Sequence, residues 1–166
     1  FGVMLYCARR YDEAIERTRR TDVNTFSARG ILGMCYAGKG DYQAAIREFE
    51  RALGYGARYS YLLGRLACAY AAAGRAADAG RTLDELEERI EQGTASHVHV
   101  AYAHLAVGQV DQALDHLAIA CEKREADANF IGVEPLLDGL HADPRFAVLL
   151  ERLGLPQSLL RRPASR

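Results

Sequence analysis

Tryptophan is absent from this 166-residue chain, and proline and cysteine occur only four times each. Each scarcity narrows what the protein can be. Cys7, Cys35, Cys68 and Cys121 stand far apart and form no C-x-x-C pair. That spacing fits neither a zinc site nor a disulfide framework, so free thiols in a reducing cytoplasm are expected. The prolines leave long stretches uninterrupted, which favours helix. No apolar run approaches the roughly 20 residues that cross a bilayer, and no signal-peptide pattern is visible. The alternation of β-branched residues that marks strands is nowhere sustained. Neither sign of charge dominates, the formal net charge being −1, so neither direct nucleic-acid binding nor a membrane partner is expected. What is present is an ordinary globular balance, 49% apolar and 26% charged, on a chain long enough for one domain with a real core.

The chain also repeats itself. Gly40, Gly74 and Gly108 are spaced by 34 and 34 residues. Leu32, Leu66 and Val100 precede them in phase, as do Gly33, Ala67 and Ala101, and Tyr36, Tyr70 and His104. Ala45, Ala79 and Ala113 follow, then Phe49, Leu83 and Leu117, then Ala52, Leu86 and Ala120. Large apolar residues at helical intervals on both sides of each glycine predict a helix–turn–helix unit. The glycine supplies a left-handed residue at the end of the first helix. The small residue after it allows the second helix to approach closely. Asp41 is placed to cap that second helix, whereas Arg75 and Gln109 at the same place are poorer caps. The pattern predicts helices at about 11–21, 25–38, 42–54, 59–73, 76–91, 95–107 and 110–123.

With this period and unit the sequence resembles the tetratricopeptide repeat family. Three full units are similar, 26–59, 60–93 and 94–127. A partial, truncated unit over 1–25 has Arg10-Tyr11-Asp12-Glu13-Ala14-Ile15 in parallel with Asp41-Tyr42-Gln43-Ala44-Ala45-Ile46. The family's proline near the end of each unit is replaced by Ala57, Glu91 and Glu125, and its early aromatic by Arg29, Leu63 and His97. The resemblance implies an all-α fold, a right-handed α-α superhelix of antiparallel helix pairs. Because the first unit is truncated, the face around Val3, Met4 and Leu5 is expected to be apolar and under-covered, favouring self-association.

Beyond about residue 128 the period stops, and 128–156 reads as a capping segment. Glu134-Pro135 opens a short turn. Asp143 and Pro144 are a helix N-cap and first residue, Phe146, Leu149, Leu150 and Leu153 make one stripe, and Gly154 with Pro156 ends the helix. Such a C-terminal capping helix covers the open end of a stack. Residues 157–166, with Arg161, Arg162 and Ser165, read as a flexible tail. Gly108-Gln109-Val110-Asp111-Gln112-Ala113, Glu134-Pro135-Leu136-Leu137, Asp143-Pro144-Arg145-Phe146 and Leu153-Gly154-Leu155-Pro156 resemble the C-terminal repeat region of bacterial signalling proteins. In those the stack follows a winged-helix, nucleotide cyclase or Ser/Thr kinase domain.

Catalytic and metal chemistry find no foothold. His97, His99 and His104 lack the i,i+4 spacing of a helical zinc pair, and His97 and His104 read as partly buried hydrogen-bonding substitutes for repeat aromatics. No G-x-S-x-G elbow is present, and no cysteine has a nearby base. Gly54-Tyr55-Gly56 lacks the lysine of a phosphate loop and reads as a turn. Asp84, Glu85, Glu87, Glu88 and Glu91 read as a solvated helix face, as do the arginines at 9, 10, 17, 19 and 20 among their acidic neighbours. No cofactor or catalytic residue is assigned.

Family geometry implies a concave face built from four positions of each first helix, with Gly30, Met34, Tyr61, Gly64, Cys68, Val98, Tyr102 and Leu105 as its candidate groove residues. None of these is the lysine, arginine or asparagine with which some members grip a terminal carboxylate. The expected function is non-catalytic recognition of a protein or peptide partner through apolar burial. The alternative is a regulatory or dimerisation domain docking on a linked N-terminal domain.

Overall fold

The computed structural model describes residues 2–56 and 59–156. Every regular element among them is helical: α1 (Gly2–Cys7), α2 (Tyr11–Arg19), α3 (Phe26–Gly38), α4 (Tyr42–Leu53), α5 (Ser60–Ala72), α6 (Ala76–Glu91), α7 (His97–Ala106), α8 (Val110–Glu122) and α9 (Pro144–Arg152). Two 3-10 turns, Ala126–Phe130 and Pro135–Leu140, lie between α8 and α9. The expected boundaries of α2 to α8 agree to within two residues. The truncated unit keeps a short first helix, α1, which the sequence did not suggest. The tail expected over 157–166 lies outside the described residues.

Consecutive helices pack as hairpins, α1 on α2, α3 on α4, α5 on α6 and α7 on α8. Each hairpin also meets the next, and the first helices α1, α3, α5 and α7 follow one another along one side. The turn chemistry recurs. Gly40, Gly74 and Gly108 have φ of +80°, +77° and +81°. The residue after each donates back to the first helix, Asp41 to Tyr36, Arg75 to Tyr70 and Gln109 to His104, which satisfies carbonyls the helix leaves open. Asp41 caps α4 by accepting from the Ala44 amide, whereas Arg75 and Gln109 make no side-chain cap. In the first hairpin the same turn is closed by Arg10 donating to Leu5. There Arg9 holds the glycine's place at φ +57°.

Side-chain size balances across each hairpin. Gly33 lies so close to Phe49 that a Cβ there would be 2.6 Å from the ring. The next two units have Ala67 with Leu83 and Ala101 with Leu117, all buried. Ala45, Ala79 and Ala113 are completely buried, as close helix approach requires. Neighbouring first helices touch through glycine: a Cβ on Gly64 would be 2.5 Å from the His99 carbonyl oxygen, and one on Gly30 would be 3.1 Å from Leu62.

Two hydrophobic clusters result. One runs from Leu5 and Tyr6 through α3–α6 to Val100 and Ala103. The other joins Val98, Tyr102 and α8 to Ala128, Ile131, Leu137, Leu140, Phe146 and Leu150. Helix α9 packs on α8, begun as expected by Asp143 accepting from the Arg145 amide and by Pro144. It covers the end of the stack. The preceding segment, 126–140, does more than cap. Through Glu134 and Asp138 it also meets α5 and the α1 hairpin, at Arg65, Tyr6 and Arg9.

Candidate binding site on the concave face

The inner side of the first helices faces segment 126–140, called the strap below. Its acids Glu134 and Asp138 meet Arg65 of α5 and Arg9 respectively. The Arg65 guanidinium donates to Glu134 Oε2 and lies 5.1 Å from the centre of the Tyr102 ring. Glu134 Oε1 accepts from the Tyr6 hydroxyl at 2.6 Å and from the Leu136 amide at 3.3 Å. Glu134 is 3% exposed, so its carboxylate depends on these donors. Farther along, Arg9 Nη2 donates to both carboxylate oxygens of Asp138 at 2.5 Å. Burial pulls the Arg65 guanidinium down, but Glu134 together with Tyr102, Tyr6 and Cys68 holds the group above its ordinary value. Burial, then Glu134, raises the Tyr6 phenol.

Gly30 and Gly64 sit at crossings between adjacent first helices. Val98 is fully buried, Met34 and Tyr102 nearly so, and Tyr61, Cys68 and Leu105 are half-buried. Cys68 donates its thiol to the Tyr102 carbonyl at 3.2 Å. Burial pushes that thiol up to about 12, so it stays protonated and a poor nucleophile. His99 pairs through Nδ1 with the Ser60 hydroxyl at 3.0 Å. Its Nε2 is 3.6 Å from Asp127, but burial and then Arg65 lower it to about 3, so it is neutral at pH 7. Two cavities open beside the Arg65–Glu134 contact. One, of about 260 Å³, is lined by Tyr6, Tyr11, Met34, Cys68, Pro135 and Leu136 among others. The other, of about 180 Å³, is lined by Met34, Tyr61, His99, Tyr102, Phe130 and Glu134 among others.

Three sequence readings change here. The concave face was expected to lack a basic residue, yet Arg65 stands within it and grips a carboxylate. Arg9, read as part of a solvated face, is 16% exposed at its side chain and paired. The candidate set omitted Arg65, Tyr6, Glu134 and Asp138. The visible hint was one arginine inside the otherwise uncharged helix Ser60–Ala72.

Away from this face the histidines act as substitutes, as read. His97 Nδ1 lies 2.9 Å from His116 Nδ1, and His104 Nδ1 lies 2.7 Å from Gln109 Oε1. His116, which the sequence reading missed, stacks on His104 with ring centres 5.0 Å apart. Among the described residues no group of three or more His, Cys, Asp or Glu side chains is arranged to hold a metal ion. Nor is any described helix long and apolar enough to cross a membrane. Asp84, Glu87, Glu88 and Glu91 are exposed, as a solvated face requires.

Comparison with protein families matches residues 36–97 to the tetratricopeptide repeat. No curated protein and no solved structure matches the chain.

Proposed function

We propose that the chain, whose residues 36–97 match the tetratricopeptide repeat, is a non-catalytic module binding a peptide or protein segment on its concave face. The observation that carries this reading is the strap. An irregular segment, 126–140, already lies against the first helices, with Glu134 on Arg65 and Pro135 and Leu136 beside Met34 and Cys68. A surface that seats one irregular segment has the apolar pockets and directed donors that seating another requires. Tyr61, Met34, Cys68 and Tyr102 line the cavities beside the strap and are the proposed contacts. Gly30 and Gly64 let neighbouring first helices meet, while Val98 and Leu105 pack into the C-terminal hydrophobic cluster. A regulatory surface docking on a linked domain or a second copy is the second reading, favoured by the exposed Val3 and Met4 of α1.

The test is affinity capture from cell extract, followed by titration of the purified partner against Tyr61→Ala and Met34→Ala. The expected result is a loss of about tenfold or more for Tyr61→Ala, the range of a central aromatic anchor. Equal binding by both variants and the parent overturns the concave-face reading. If Met4→Glu alone weakens capture, the second reading replaces it.

A further inference from the structure

We propose that the Arg65–Glu134 and Arg9–Asp138 pairs form a clasp holding the concave face closed, and that the partner is a peptide with a carboxylate side chain beside a large apolar one, which takes Arg65 from Glu134. This rests on the concave-face reading above and adds the partner's chemistry and the contact it must break.

The strap has two sides. Ile131, Leu137 and Leu140 are buried with Val98, Leu117, Phe146 and Leu150, so this side belongs to the C-terminal end of the stack. Glu134 and Asp138 point the other way, to Tyr6, Arg9 and Arg65. The polar contacts can therefore open while the strap keeps its own core.

Arg9 gives an independent sign of what the clasp is for. The other three hairpins place glycine at this turn position, and here a side chain is carried at φ +57°. A non-glycine residue there costs about 1–2 kcal/mol. The Arg9 side chain pairs with Asp138 and also donates to the Cys7 carbonyl of its own turn at 3.4 Å. Backbone strain at Arg9 thus coincides with a side-chain contact to the strap, although Arg124 is left-handed too, at φ +51°.

The grip is also incomplete. Arg65 Nε and Arg9 Nε are both buried without a hydrogen-bond partner among the described residues. A guanidinium presents a fork that a carboxylate can engage through two donors, so an incoming carboxylate has a better geometry on Arg65 than Glu134 uses. The two cavities, about 260 and 180 Å³, each include Arg65 and Met34 in their walls and strap residues opposite. They offer room for one large apolar side chain next to that carboxylate. Charge and shape thus specify the same ligand: an acidic residue adjacent to a leucine-like or aromatic one, as in the strap's own Glu134-Pro135-Leu136.

The test uses the full chain and a fluorescent nonapeptide with the sequence of residues 132–140, followed by anisotropy. Arg9→Gly restores the residue the other turns carry, so it opens the clasp without threatening the fold. Glu134→Gln opens it at Arg65. Both variants are expected to bind the peptide about tenfold tighter than the parent, as when a competent fraction of about a tenth rises to nearly all. Arg65→Met in the Arg9→Gly background is expected to abolish that gain. A peptide with glutamine replacing its glutamate is expected to bind Arg9→Gly at least fivefold more weakly. If glutamate and glutamine peptides bind all variants alike, the clasp is overturned while the concave face remains a binding surface. If folded Arg9→Gly and Glu134→Gln bind neither peptide, the clasp is overturned too, and the partner titration alone then judges the concave face.

Discussion

Hairpins α3–α4 and α7–α8 stand two repeats apart, and the same pair of positions meets inside each with different chemistry. In the first, Arg29 donates to Glu48 at 2.8 Å. In the second, the equivalents His97 and His116 approach to 2.9 Å between ring nitrogens. Both hairpins turn on a left-handed glycine, Gly40 and Gly108. The repeat therefore dictates which side chains meet and leaves open what they exchange. An ion pair between an arginine and a glutamate survives across the physiological range. A contact between two imidazoles needs one of them to accept, so it fails once both carry protons.

The largest expected effect tests the packing the hairpins share. Phe49 is fully buried against Gly33, and Phe49→Ala should cost about 3–5 kcal/mol in a denaturant titration. Gly33→Ala should cost about 1–3 kcal/mol by crowding the ring. Adding Phe49→Leu to it recreates the Ala67–Leu83 arrangement and should recover most of that loss. Failure of the double variant to recover would mean that the units do not share one size rule.

Ala79→Leu, at a fully buried crossing in the hairpin between the two compared, should cost about 1–3 kcal/mol and lower the melting temperature. An unchanged melt would break the alignment of the units.

Acid should separate the hairpins. Burial, then His104 and His97, lowers His116 from its ordinary 6.5 to about 4. Burial lowers His97 too; Lys123 adds to this and Glu125 opposes it. Between pH 6.5 and about 4 the unfolded chain then binds more protons than the folded one. Stability is complete above 6.5 and falls as pH drops toward 4. Amide exchange at pH 5 should accelerate in α7–α8 relative to α3–α4. His116→Gln should remove part of the difference, and equal acceleration in both hairpins would refute it.

The smallest effect belongs to the first turn. Arg9→Gly relieves left-handed strain but deletes a partly exposed ion pair, terms of about 1 kcal/mol each and opposite sign. Its melt should lie close to the parent's, in contrast to its predicted effect on peptide binding. A loss of several kcal/mol would make Arg9 part of the stack's core support.

How much of this was readable beforehand depends on range. The hairpins were legible because everything that builds them lies within one period: glycine at the turn, the small residue after it, and apolar residues at helical intervals. Even the meeting of Arg29 with Glu48 is implicit in the repeat, and the same frame points from His97 to His116, though the histidines alone do not announce it. The strap obeys no such rule. Glu134 meets Tyr6 across 128 residues and Arg65 across 69, and Arg9 meets Asp138 across 129. A buried carboxylate finds a buried guanidinium only when the packing of the whole stack brings both together. Thus the sequence by itself determined the helical units, their turns and the size matching inside them, because local geometry and short-range packing suffice for those. The strap's contacts with Tyr6, Arg9 and Arg65 were decided by the tertiary structure alone, because their pairing energy exists only once distant charges lose water together.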